Sequence, residues 1–212
     1  MRLRTLALGT LLALPAISQI TLTVTGPANA VPGATVNVTV SATGTAGKNV
    51  SAVQWSHTLP TGYTLAGATV SAGGATLGKN IYCGAATCLD LGFTAANVIS
   101  NNPITDGALG TVQITVPASA VAGSTPLPIT GLFAVDVTGL NVAASSGTAY
   151  SLLVLSKCDI DQSGSTNAAD VMAMLNGLIG HTTCPYAGSG GCSLANVFSV
   201  LLAANGGACN LP

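Results

Sequence analysis

Between residues 159 and 170, six oxygen-bearing side chains or carbonyls recur at the spacing a hard cation requires. Asp159, Asp161, Ser163, Ser165, Asn167 and Asp170 take positions 1, 3, 5, 7, 9 and 12 of a twelve-residue loop. Ca²⁺ collects six to eight oxygens, and this register wraps them around one point. Gly164, at position 6, permits the sharp turn, and Ser165 offers its backbone carbonyl. Asn167 reaches the ion directly or through water. Asp170 closes the shell from the first turn of the next helix, where the helix dipole favours a carboxylate. The competing reading is a polar loop ended by an Asp-type helix cap. Against it, half of the chain's six acids fall within twelve residues, in ligand register. Their repulsion would destabilise the loop without a cation. One Ca²⁺ site is therefore expected. Three carboxylates, with Ser163 where Asp is usual, predict weak binding, about 10⁻⁴–10⁻³ M.

The loop and its helix recur once, weakly. Val171, Met174, Leu175 and Leu178 form a helical stripe, and Val197, Val200 and Leu201 repeat its start 26 residues later. At that offset the ligand positions become Pro185, Ala187, Ser189, Gly191, Ser193 and Asn196. No carboxylate remains, so no second calcium is expected. Cys184 and Cys192 flank this second loop, where a disulfide would fix the turn that the metal fixes in the first. Cys158 and Cys209 lie just outside the two helices, where a bond would clasp the ends of the unit. Cys83 and Cys88 are close in sequence and are expected to pair. Spacing leaves the connectivity of the other four open. Zinc is disfavoured, since His57 and His181 are not spaced for a finger.

Residues 20–155 carry a period near two instead. Ile20, Leu22 and Val24 alternate with threonines, as do Val36, Val38 and Val40. Val53, Trp55 and His57 follow, then Leu89 to Phe93, Val112 to Val116 and Leu152 to Val154. Turn signals separate them at Pro32-Gly33, Pro60 to Gly62, Gly73-Gly74, Asn101 to Pro103 and Ala122 to Ser124. This pattern predicts a β-sandwich. The fold class is mainly β, with a small all-α unit behind it.

Composition bounds the function. The 212 residues include 5 Lys+Arg, 6 Asp+Glu, 5% charged residues and 4% aromatics, with a net charge of −1. Ordinary domains carry about 25% charged residues. With no basic surface, a nucleic-acid partner is excluded. Glu is absent, which removes every mechanism built on a glutamate. Arg2 and Arg4, the apolar stretch Leu6 to Leu14, and the small residues Ala16 and Ser18 read as a signal peptide over residues 1–18. The apolar run is too short for a membrane span. The expected destination is extracellular, where six cysteines read first as disulfides. Two N-glycosylation sequons start at Asn37 and Asn49.

Segment 157–212 resembles a type I dockerin, on the motif Asp159, Asp161, Ser163, Gly164, Asn167, Asp170, Val171, followed by Leu178, Ile179 and Gly180. Segment 19–156 looks like a cohesin-type domain. It shares the Pro32-Gly33 turn into Val36, the Val53, Trp55, His57, Leu59, Pro60 run, the Gly110 to Val116 strand and the Tyr150 to Leu155 strand. The resemblance implies a nine-stranded jelly roll followed by a dockerin-like domain. It also implies non-catalytic assembly, since dockerins plug into cohesins to gather polysaccharide-degrading enzymes. Type I dockerins often present Ser-Thr at loop positions 10 and 11. Here those positions hold Ala168 and Ala169, then Leu194 and Ala195. The expected contact is a small apolar patch, docking on a cohesin- or dockerin-bearing extracellular protein or on the chain's own β domain.

Two other classes fit the sequence less well. A carbohydrate-binding module needs a spaced row of exposed aromatics, and Trp55, Tyr63, Tyr82, Tyr150 and Tyr186 show none in sequence. Trp55 shares a strand face with Val53 and His57, so it is expected in the core. A glycosidase needs paired carboxylates. Asp90, Asp106 and Asp136 are far apart in sequence and are expected at the solvated surface. No nucleophile elbow or His-Glu motif is present. The chain is expected not to be an enzyme.

Overall fold

The computed structural model describes residues 19–91, 101–185 and 191–211. The leader, Phe93 and Tyr186 lie outside the described residues, as do Ala187 and Ser189 of the second loop. Thirteen strands and three helices are described. One sheet runs β12 (Ala144–Ser146), β1 (Ile20–Thr25), β3 (Thr35–Thr43), β8 (Gly107–Thr115), β5 (Thr64–Val70). The second runs β11 (Asn141–Val142), β10 (Ile129–Asp136), β4 (Val50–His57), β7 (Thr87–Leu91), β6 (Asn80–Gly84). A third, small sheet joins β2 (Asn29–Ala30), β13 (Ser151–Val154) and β9 (Gly123–Pro126). The described strands number thirteen rather than the nine expected, and five of them, β2, β9, β11, β12 and β13, are only two to four residues long.

Alternation turns the apolar residues inward. Ile20 and Leu22 of β1, Val38 and Val40 of β3, and Val112 and Ile114 of β8 meet Val53 and Trp55 of β4 in one buried core. Trp55 is fully buried, and its indole N–H donates to His57 Nε2 at 3.1 Å. His57 Nδ1 has no partner among the described residues. His57 is thus a core residue held neutral, and burial pushes its pKa down to about 4.

Two expectations change here. Gly73-Gly74 is not a simple turn but the middle of a short helix, α1 (Ala72–Thr76), capped by the Ser71 hydroxyl, which accepts from the Gly74 N–H at 3.0 Å. Gly123 and Ser124 of the expected turn begin β9. Asp90 also departs from expectation. It lies within β7, opposite Val53 and Ile81, and is 1% exposed. The register made it an inward residue, which a lone Asp in sequence cannot reveal. Its Oδ1 has no hydrogen-bond partner among the described residues. Burial raises its pKa to about 6, against the opposing pull of nearby Lys79. Lys79 is buried too, its ammonium donating to the Ser51 carbonyl at 2.6 Å. Asp106 and Asp136 do lie outside the core, and each accepts local bonds. Asp106 takes the Thr45 N–H and hydroxyl, and Asp136 takes the N–H groups of Thr138 and Leu140.

Beyond β13 come α2 (Ala168–Leu178) and α3 (Leu194–Ala204), which pack on each other. Their shared core is Cys158, Met174, Val197, Val200 and Leu211, flanked by Ile160, Val171 and Leu178. Leu201, expected in this stripe, is 41% exposed, because Val197 and Val200 already fill the α2-facing side. Three disulfides close the chain: Cys83–Cys88, Cys158–Cys209 and Cys184–Cys192. No helix among the described residues is long and apolar enough to cross a membrane.

Two of the buried ionisable groups, Asp90 and His57, set opposite pH trends. Asp90 binds its proton more tightly folded than unfolded, so its contribution falls as pH rises from about 4 through 6. His57 binds its proton less tightly folded, so its contribution falls as pH drops from about 6.5 to 4. Each shift corresponds to about 3 kcal/mol, so the two trends offset across this window. Asp90→Asn removes one of them. Urea titrations at pH 4 and pH 7 should show the variant gaining about 3 kcal/mol over the parent protein between the two. An unchanged gap would place Asp90 outside the titrating set.

Candidate functional site

The first loop brings its three carboxylates together. Asp159, Asp161 and Asp170 each offer an oxygen within 4.8 Å of the others. Asp159 and Asp170 are buried, and Asp161 faces solvent. The loop is shaped by its own backbone. Gln162 and Gly164 take positive φ, 58° and 99°, which reverse the chain between the first and second halves of the loop. The Ser163 and Gly164 N–H groups donate to the two Asp159 oxygens at 3.0 and 2.9 Å. Ser163 N–H also donates to Asp161 Oδ1 at 3.0 Å. The hydroxyl and N–H of Ser163 hold the Asp161 carboxyl below its ordinary range.

Asp170 acts at both ends of the loop. Its Oδ2 accepts from the Asn167 N–H at 2.8 Å, and the Asn167 side chain accepts from Ala169, which makes a capping box for α2. Its Oδ1 accepts from Ile160 and Asp161 N–H at 2.6 and 3.0 Å. Capping therefore occurs, but it leaves Asp159 and Asp161 unexplained. The hydrogen-bond partners described for the two buried carboxylates are all backbone N–H groups, not cationic side chains. Two carboxylates thus lie buried side by side, a charge density that a bound cation would offset. The donor set is all oxygen, the chemistry of Ca²⁺ rather than of a thiolate or imidazole metal. Ser165 contributes its carbonyl toward Ser163 Oγ and Asn167 Nδ2, at 3.3 and 3.1 Å.

The second loop solves the same problem without charge. Gly191 and Asn196 stand where Ser165 and Asp170 stand in the first. The Asn196 amide donates directly to the Gly191 carbonyl at 2.6 Å. In the first loop the Ser165 carbonyl accepts instead from Ser163 Oγ and Asn167 Nδ2, and Asp170, a carboxylate, can only accept. Ser193 caps α3 by accepting from the Asn196 N–H, and Cys184–Cys192 ties the loop covalently. Gly177 of α2 lets this bond approach: a Cβ there would lie 2.6 Å from Cys192 Sγ.

Of the residues expected at a partner surface, Ala168, Ala169, Leu194 and Ala195 all are exposed. They join a wider apolar face. Leu194, Phe198, Leu201 and Leu202 are 60%, 59%, 41% and 51% exposed along α3.

A second surface was invisible in the sequence. Register places Tyr82 opposite Leu89, Leu89 opposite Gln54, and Gln54 opposite Phe133. These four residues form one row across β6, β7, β4 and β10. They sit on the outward face, between Trp55-side positions that point inward. Tyr82 and Phe133 are each 47% exposed. The neighbouring row is Gly84, Thr87, Ser56 and Thr130, again uncharged. Only a pairing register, not a spacing, brings Tyr82 and Phe133 into line. Trp55, being fully buried, cannot serve as a sugar platform.

Near the sandwich edge, Lys79, Asp90 and Asp106 line a cavity of about 210 Å³. That is below the ~300–1,000 Å³ usual for ligand pockets. Asp106 in its wall accepts from the Thr45 N–H and hydroxyl.

No protein-family model matches this sequence, and no curated protein matches it. Solved structures do match. A chain of the CaDoc0917–CaCohA2 complex, CaCohA2 being from Clostridium acetobutylicum, is 17% identical. It aligns over 64% of this chain and 99% of its own, with a TM-score of 0.50. A chain of a type I cohesin–dockerin complex, Coh-OlpA-Doc918 from Clostridium thermocellum, is 14% identical. It aligns over 65% of this chain and 99% of its own, with a TM-score of 0.51. At such identities the likeness is one of architecture: this chain is mainly β and contains a cohesin-like fold.

Proposed function

We propose that the chain is a secreted, non-catalytic, calcium-binding module for protein–protein assembly outside the cell, in the setting of polysaccharide degradation or the cell surface. The observation that carries this reading is the joining, in one chain, of a cohesin-like sandwich with a loop that gathers Asp159, Asp161 and Asp170. The structural neighbours come from complexes of cohesins with dockerins, which supports a dockerin-bearing partner for the sandwich. The helix pair is read as the dockerin-like half, with Ca²⁺ held by Asp159, Asp161, Ser163, Ser165, Asn167 and Asp170. Three disulfides and the leader support export. The uncharged row Tyr82, Leu89, Gln54 and Phe133 is the docking face that the sandwich offers.

Calcium is the first test. With a dissociation constant of about 10⁻⁴–10⁻³ M, about 10 mM Ca²⁺ should stabilise the helical unit by roughly 1.5–3 kcal/mol over chelated protein. Circular dichroism melts should show this shift, and Asp159→Ala or Asp170→Ala should abolish it. If calcium changes neither helicity nor melting, the loop is not a calcium site.

The second loop gives a matched control. Asn196→Asp removes the donor to Gly191 and should cost about 1–3 kcal/mol. The calcium response at the first loop should survive that change, measured by the same melts.

A further inference from the structure

One carboxylate inside the sandwich both lacks a full set of partners and borders open space. Asp90 is 1% exposed, and its Oδ1 accepts no hydrogen bond among the described residues. An ionised oxygen withheld from water gains strongly from any donor that reaches it. Asp90 lines the 210 Å³ cavity at the sandwich edge. Lys79 lines it too, but directs its ammonium to the Ser51 carbonyl at 2.6 Å rather than to Asp90 Oδ1. Asp106 is the third charged residue of the lining, which gives two carboxylates, one ammonium and a net charge of −1. Lys48 donates to the Gly44 carbonyl and does not line the cavity. Leu77, Ile104 and Leu109 supply apolar wall.

Each feature narrows the ligand. The negative balance selects a cation over an anion. A metal ion is the poorer cation, since only Asp159, Asp161 and Asp170 gather as metal ligands among the described residues. One orphaned oxygen, not a fork of two, suits a compact ammonium better than a planar guanidinium. The apolar wall suits methylene groups behind a charged head. The volume is too small for a drug-sized ligand, and ample for one such head with its stem. We propose that this cavity binds a primary alkylammonium, whose N–H donates to Asp90 Oδ1 while its stem lies against Leu77, Ile104 and Leu109. The site is separate from the calcium loop and from the outward face of the second sheet, and it does not depend on the assembly reading. Two sources carry this head group: a free short-chain amine, and the end of a lysine side chain on another protein.

The test is an NMR titration of the full mature chain with Ca²⁺, at about pH 7.5, above the Asp90 pKa of about 6. Butylammonium, tetramethylammonium and butanol are added in separate series, and the amide shifts of Asp90, Gly107 and Leu109 are followed. Butylammonium should shift them saturably. Tetramethylammonium is a cation without an N–H, and butanol is a donor without a charge; each should bind about tenfold more weakly or worse. Asp90→Asn, checked for folding by its melting temperature, should weaken butylammonium binding about 10- to 100-fold. The comparison of probes uses the parent protein alone, so it decides the matter even if that variant fails to fold. Acetyl-lysine methylamide separates the sources. Binding equal to that of butylammonium assigns the cavity to a lysine side chain, and binding of butylammonium alone assigns it to a free amine. Equal binding by either control, or cavity amides that shift with no probe, would overturn the proposal.

Discussion

Strand β4 lies in the middle of its sheet, with Val53, Trp55 and His57 turned inward and Ala52, Gln54 and Ser56 turned outward. Everything on either side follows from that alternation. The inward set fixes Trp55 against the opposite sheet and His57 against Trp55. The outward set aligns Gln54 with Leu89 and Phe133. A one-residue slip would exchange the two sets, exposing the indole and burying the glutamine. The large buried indole makes such a slip costly, so the core specifies the outward row as firmly as it specifies itself.

The same logic explains what could be read in advance. Alternation along β1, β3 and β4 is local, and each of those strands forms where its period predicts. The loop around Asp159 is local as well, and its carboxylates converge because twelve residues suffice to close it. Asp90 and the Tyr82–Phe133 row were hidden because both depend on which strand lies alongside. Asp90 is inward only because β7 pairs with β4 and β6 in one register. Gly73 and Gly74 read as a turn, yet Ser71 supplies a cap and a short helix results. Leu201 followed the helical period but lost its place in the core to neighbours that already filled it.

The two halves of the helical unit hold their loops by different physics. In one, three carboxylates are gathered at a point and held by backbone N–H groups. In the other, an amide bridges to a carbonyl and a disulfide completes the turn. The Cys158–Cys209 bond then encloses both loops. Closing a loop of about 50 residues is worth roughly 4 kcal/mol in the chain-entropy account. A core as thin as that around Met174 relies on such closure.

The edges of the sheets carry a further consequence. Exposed strand edges invite other chains to add on, and most proteins blunt them with lysines. This one has few to spend. Its outermost strands include β2 and β11 at two residues each and β12 at three. At the edge of the second sheet, β6 is cross-linked to its neighbour by Cys83–Cys88. Edges as short as these leave few free N–H and C=O groups for an added strand, while the seven-residue β5 keeps the far edge of the first sheet long. Where other proteins blunt such edges with charge, this one does so at β11, β12 and β6 by strand length and a cross-link.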